Sequence, residues 1–386
     1  MSSSQLISNL QNGINTAVST SCATSVYYLL STSFEELGSP LFIITKNDSE
    51  ARRISDELGA FFSGNVLWYP KHQLTFHDLE AESSDIRAYR LKAINAILHD
   101  SNTVIVTTPE GLMTPLSDIA CIKESVLKVG DILETDKFAL LATSIGYENV
   151  TIVDGKGQLS IRGGIIDIFP PYLDEPVRIE LFDNEIDSLR TFDVISQRSL
   201  EKIKEVRIMP ASEYILPQNK ADAICRSITD DMNSCLKGLS DSAKGKLKAK
   251  VANITERIAN GVHSGFYKNY APYISEKRVT VAHYCSNAKF VFIEPDLVLS
   301  DYELFVKGCH QRFADMLEGG EVLPGQIKLI PETEDVLNVI NSHTWLCVKE
   351  FQSTYKYLEP RDIIKIDSKP ARQYSGNFDD LLTDII

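Results

Sequence analysis

Residues 157–192 read GQLSIRGGIIDIFPPYLDEPVRIELFDNEIDSLRTF. Apolar and polar residues alternate in short runs, broken by Gly163-Gly164, Pro170-Pro171 and Asp183-Asn184. A period of two sends successive side chains to opposite faces of a strand, and Gly, Pro and Asn close tight turns. The stretch predicts a small antiparallel sheet. Arg162, Arg178 and Arg190 fall outside the apolar period. In the run VRIELF, Val177, Ile179 and Leu181 share one side, while Arg178, Glu180 and Phe182 share the other. Arginines and large aromatics are over-represented among interface hot spots, so the second side reads as a docking surface. The same pattern also fits a local lattice, with Phe182 in the small core and the arginines paired to Asp183, Glu185 and Asp187.

Upstream of this stretch the pattern is different. LFIIT (from Leu41), VLWY (from Val66) and TVIVT (from Thr103) are short apolar strands. Helical spacing fills 49–62 and 84–99 between them. Strands alternating with helices predict a parallel sheet. A short helix is expected over 135–144, with Thr135 as N-cap and Gly146 as its stop. Downstream, helices are expected over 221–236, 240–259 and 295–317, with isolated strands FVFI (from Phe290) and TWLCV (from Thr344) and one more strand within 358–366. The fold class is therefore α/β, with a parallel-sheet domain in two halves and an inserted small α+β domain. The expected boundaries are 1–118 for the first half, 119–210 for the insertion, 211–348 for a mainly helical second half, and 349–386 for a linker or the start of a next domain. The apolar run ending at Ile386 is expected to continue into a longer protein.

At 386 residues, roughly two to four cores are expected. A formal net charge of −14 argues against a broad nucleic-acid face, which needs clustered Lys and Arg. The seven cysteines are scattered and form no CxxC pair, which fits a reducing cytoplasm better than a disulfide frame or a zinc site. No apolar run approaches the ~18 residues of a membrane span, so no membrane partner is expected.

The search for chemistry returns little. A phosphate-binding loop needs a Gly-rich turn ending in Gly-Lys-Ser/Thr after a strand. The matching place, Thr20–Ser25, has small residues but neither the lysine nor a nearby glycine. Asp296, after FVFIEP, resembles a magnesium-holding carboxylate and equally fits a helix cap. His72 and His77 are loop residues rather than a metal pair, and no nucleophile motif occurs. Arg87 and Arg90 share a helix face and either contact a phosphate or pair with Asp85 or the acidic run 78–82. No catalytic, cofactor or metal residue is assigned.

The motifs RGGIIDIFP, PVRIELFDNEIDSLRTFD and SQRS, with YPKHQLTFHDLEAESSDIRAYRLKAINAIL and TVIVTTPEGL, resemble the N-terminal region of the bacterial transcription-repair coupling factors. The resemblance runs over about residues 1–345. It implies a UvrB-like, degenerate RecA/helicase-type domain in two halves with an inserted UvrA-binding domain. It also implies UvrA contact through Arg162, Arg178 and Phe182, with Glu180 and Arg190 as neighbours. ATP and magnesium, RNA polymerase and DNA would be handled by domains this sequence does not contain. A C-terminal domain of the whole protein would cover the UvrA face at rest. Thr20–Ser25 departs from the UvrB pattern as a degenerate Walker A, and 69–82 lacks the long DNA-clamping hairpin. Non-catalytic recruitment of UvrA is the function this implies, and a UvrB-like nucleotide-dependent DNA-remodelling enzyme is the alternative. On this basis, reversing Arg178 to Glu is expected to abolish UvrA binding with the melting temperature nearly unchanged.

Overall fold

The computed structural model describes residues 2–32, 34–72, 74, 76, 83–261, 265–275, 277–350 and 354–368. His77, the acidic run 78–82 and the apolar tail 374–386 lie outside the described residues. In chain order the strands are β1 (Thr16–Thr20), β2 (Leu41–Ile44), β3 (Asn65–Trp68), β4 (Thr103–Thr107), β5 (Ser125–Lys128), β6 (Glu148–Asn149), β7 (Gln158–Arg162), β8 (Ile165–Ile168), β9 (Val177–Phe182), β10 (Glu185–Phe192), β11 (Ser199–Ile203), β12 (Glu205–Ile208), β13 (Lys289–Ile293), β14 (Thr344–Lys349) and β15 (Asp362–Ile366).

Seven strands form one parallel sheet in the order β15-β1-β14-β13-β2-β4-β3. Its central strands are apolar at almost every position because helices cover both faces. Phe42, Ile44, Ile105, Phe290, Phe292, Trp345 and Cys347 enter one core, against helices Ser84–His99, Ala221–Cys235, Asp241–Ala259 and Pro295–Glu318. Their alternate neighbours Leu41, Ile43, Val104, Val106, Val291, Leu346 and Val348 enter the other, against helices Ser2–Gln11, Ala23–Thr32 and Asp48–Leu58. The α/β class is as expected. The two strands expected after residue 211 are present as β13 and β14, but they are not isolated: they fill the middle of the sheet between β1 and β2. The strand expected within 358–366 is β15, and it pairs with β1 at the edge of the parallel sheet rather than belonging to a linker or a next domain.

The second unit is a six-stranded sheet in the order β11-β10-β9-β8-β7-β6, beside a two-stranded ribbon of β5 and β12. Residues 157–192 provide its four antiparallel central strands. The sheet is mixed rather than purely antiparallel, because β6 runs parallel to β7. Leu159, Ile166, Ile168, Val177, Ile179, Ile186 and Leu189 face one core with Phe138 and Ala142 of helix Thr135–Ser144. The N-cap position of that helix is Glu134, which makes no side-chain capping bond, and Thr135 is its first helical residue; Gly146 follows with φ of 101°.

Two glycines set the β7–β8 turn. Gly163 has φ of 61°, where a side chain is strained, and a Cβ on Gly164 would lie 2.9 Å from the Leu181 carbonyl oxygen. On β10, the pairing steps by one between Ile186 and Ser188, making Asp187 a bulge. The extra residue sends both Ile186 and Leu189 inward, and leaves Ser188 and Arg190 on the outer face.

Candidate docking face of the mixed sheet

The face opposite the core carries every residue expected at the site. Cross-strand partners share a face, and the register pairs Asp167 with Arg178, Arg178 with Arg190, Ile165 with Glu180 and Glu180 with Ser188. Asp167 has no exposed surface. Its Oδ1 accepts from Arg178 Nε at 2.7 Å, and its Oδ2 accepts from Arg178 Nη2 at 3.0 Å and Arg162 Nη2 at 2.6 Å. Arg178 also donates from Nη1 to the Gln197 carbonyl at 3.2 Å and lies over the Phe192 ring at 4.7 Å. Hydrogen bonding to Asp167 holds its guanidinium above the ordinary arginine pKa. Phe192 belongs to a small cluster with Val153 and Phe169 that walls Arg178 on this side.

The five expected residues are thus unequal. Arg178 is only 15 % exposed, whereas Arg162 is 45 % exposed. Phe182 is 76 % exposed. Glu180 accepts from the Ser188 hydroxyl and pairs with Arg190 Nε at 3.5 Å. The arginines do not pair with Asp183, Glu185 or Asp187, and Phe182 is not in the core. The buried carboxylate that organises the face is Asp167, which the sequence reading missed. The signal was available: it is the single charge in the run IIDI. Ile132 was missed as well. It is 70 % exposed and bridges Glu185, which pairs with Phe182, so all three share this face.

The near-invariance of melting temperature expected for Arg178→Glu does not survive this geometry. Losing Arg178 removes two of the three arginine hydrogen bonds to the wholly buried Asp167 and sets a second carboxylate opposite it.

The other chemical candidates resolve into structure. At the Walker A position, β1 joins helix Ala23–Thr32 through Ser21 and Cys22 alone. Ser25 Oγ donates to the Cys22 carbonyl at 2.6 Å, and Thr20 Oγ1 lies 2.7 Å from Ser368 Oγ. Two residues with no glycine and no lysine do not fit a triphosphate's cradle. Asp296 is neither a cap nor an open carboxylate. The N-cap position of its helix is Glu294, and Asp296 accepts from the buried Lys349 ammonium and from the Lys356 N–H at 3.1 Å. Among the described residues no group of three or more His, Cys, Asp and Glu is arranged to hold a metal, and no helix is long and apolar enough to cross a membrane.

The partner that the structure gives Arg90 is Glu213 rather than Asp85. Arg90 is fully buried, donating to Glu213 Oε1 at 2.6 Å, the Pro70 carbonyl at 2.5 Å and the Tyr69 hydroxyl at 2.5 Å. His72 Nε2 lies 2.9 Å from Glu213 Oε2. This cluster ties the segment leaving the mixed sheet to the parallel sheet. Burial alone would raise the Glu213 carboxyl, but Arg90 and His72 bring it down from 4.5 to about 2. A depressed folded value stabilises fully above the unfolded value and is lost as pH falls through the folded one. The shift corresponds to about 3 kcal/mol, expected to disappear between about pH 5 and pH 2. Glu213→Gln should cost about 3–5 kcal/mol at neutral pH by stranding Arg90, and should flatten the acid slope. Denaturant melts at neutral pH and at about pH 3 check both effects. An unchanged acid slope would contradict the assignment.

The UvrB interaction domain family matches residues 126–214, the segment that builds the mixed sheet. The transcription-repair-coupling factor of Bacillus subtilis (strain 168) is 29 % identical over 347 residues, covering 88 % of this chain and 29 % of the relative. That of Staphylococcus aureus (strain USA300) is 24 % identical over 369 residues, covering 95 % of this chain and 31 % of the relative. The chain spans just under a third of the length of these curated relatives. The chain is thus similar over most of its length to transcription-repair-coupling factors, and its residues 126–214 match the UvrB interaction domain family.

Proposed function

We propose that this chain recruits UvrA through the outer face of its mixed sheet and catalyses no reaction itself. The observation that carries the proposal is a 76 % exposed Phe182 on the same sheet face as arginines whose geometry is already fixed by a buried carboxylate. An exposed aromatic on a preorganised polar frame binds with little further loss of side-chain freedom. In the whole protein, the ATP-driven translocase, the RNA polymerase contact and the DNA contact would belong to other regions, and the C-terminal domain would cover this face. A role in transcription-coupled repair would put the protein in the cytoplasm.

The proposal is tested by putting a photo-crosslinker at the face. Phe182→p-benzoylphenylalanine is expected to capture UvrA on irradiation. Leu140→p-benzoylphenylalanine is the control, since Leu140 is 74 % exposed but sits on the helix covering the opposite face. Capture from position 140 and not from 182 would overturn the assignment.

The enzymatic alternative has its own measurement. A nucleotide site saturated at a hundred times its dissociation constant stabilises by about 2.7 kcal/mol. We expect ATP with magnesium to leave the melting temperature unchanged, because the β1-to-helix link offers no lysine and Lys349 already pairs with Asp296. A clear upward shift would favour the UvrB-like enzyme.

A further inference from the structure

We infer that Asp167 is the positioning residue of this face: it aims Arg162 and so decides where the partner meets positive charge. The inference rests on the docking function proposed above. One buried carboxylate serving two guanidiniums leaves the cluster with one positive charge in excess. The donor inventory shows where that charge is presented. Arg178 spends three of its five N–H donors inward, two on Asp167 and one on the Gln197 carbonyl, and is walled by Phe192. Arg162 spends one donor, on Asp167 Oδ2, and keeps nearly half its side-chain surface in solvent. Glu180 and Arg190 neutralise each other alongside. Arg162 is therefore the outward cation, and its inward anchor is Asp167.

The position of that anchor also limits the partner's chemistry. Arg162 and Ile165 are directly paired across the Gly163-Gly164 turn, and Gly164 accepts from the Leu181 N–H beside Phe182. The cation and the exposed ring thus flank one glycine turn that carries no side chains. A complementary surface would offer a carboxylate next to an apolar recess, with room for the turn to approach closely. Arg178, in contrast, acts on binding through the frame rather than by offering its own donors.

Two measurements test this. In the free protein, side-chain ¹⁵N arginine spectra are expected to show restricted guanidinium rotation for Arg162 before any partner is added. Free rotation would overturn the inference, whatever any variant does. In titrations with UvrA, Asp167→Asn is expected to weaken binding about tenfold. In an Arg162→Ala background the same change should add nothing, because a positioning residue has nothing left to position. Independent, additive losses, or wild-type affinity in folded Asp167→Asn, would overturn it. If Asp167→Asn does not fold, the spectra of the wild-type protein decide. If Arg162→Ala and Phe182→Ala both bind UvrA normally, the docking proposal itself fails, while the spectra still judge the role of Asp167.

Discussion

Replacing Arg178 with glutamate is expected to unfold the mixed sheet, with loss of partner binding as the consequence. Asp167 is wholly buried, and Arg178 supplies two of its three hydrogen bonds from arginine. Removing one member of a buried pair costs about 3–5 kcal/mol, and a second carboxylate directly opposite adds repulsion. Because Arg178 also covers Phe192, the change exposes the small cluster with Val153 and Phe169. Amide hydrogen exchange can localise the damage. Peptides from β7 to β10 should lose protection, while those from β2 and β4 in the parallel sheet should keep it. Normal protection across β7–β10 would mean that Arg178 is a surface contact after all. Lost binding by this variant is therefore weak evidence that Arg178 touches the partner.

Phe182→Ala should behave in the opposite way. The ring is mostly in solvent and packs in none of the cores, so truncation is expected to change stability by no more than about 0.5 kcal/mol. If the ring enters a recess on UvrA, its loss should cost about 2 kcal/mol of affinity, or roughly thirtyfold. Together the two variants separate frame from contact: one loses the fold and binding together, the other loses binding alone. The second pattern for Arg178 and the first for Phe182 would invert the assignment.

How much of this was legible in the sequence depends on how local the signal was. Strand TVIVT and helix 84–99 lie where the apolar runs and their helical spacing put them, because burial on both faces or along one stripe leaves a continuous pattern. β1, with the sequence TAVST, was not legible. Its residues are small, and it is a strand because β14 and β15, more than 300 residues away, pair with both of its edges. The two faces of β9 followed from the period of two alone. The partner of Arg178 did not. Proximity in the chain favoured Asp183, Glu185 and Asp187, but register decides, and it sets Asp167 opposite Arg178 while making Asp187 a bulge. Arg90 shows the same limit. A helix face names its neighbours three and four residues away, and here the partner is Glu213, 123 residues later.

The most direct measurement is calorimetric titration of UvrA with the wild-type chain and with Phe182→Ala, both first shown to melt at the same temperature. Saturable binding by the wild type, weakened roughly thirtyfold in the variant, is the predicted result. Equal affinity for the two, or no binding by the wild type, would contradict the assignment of this face as the UvrA site.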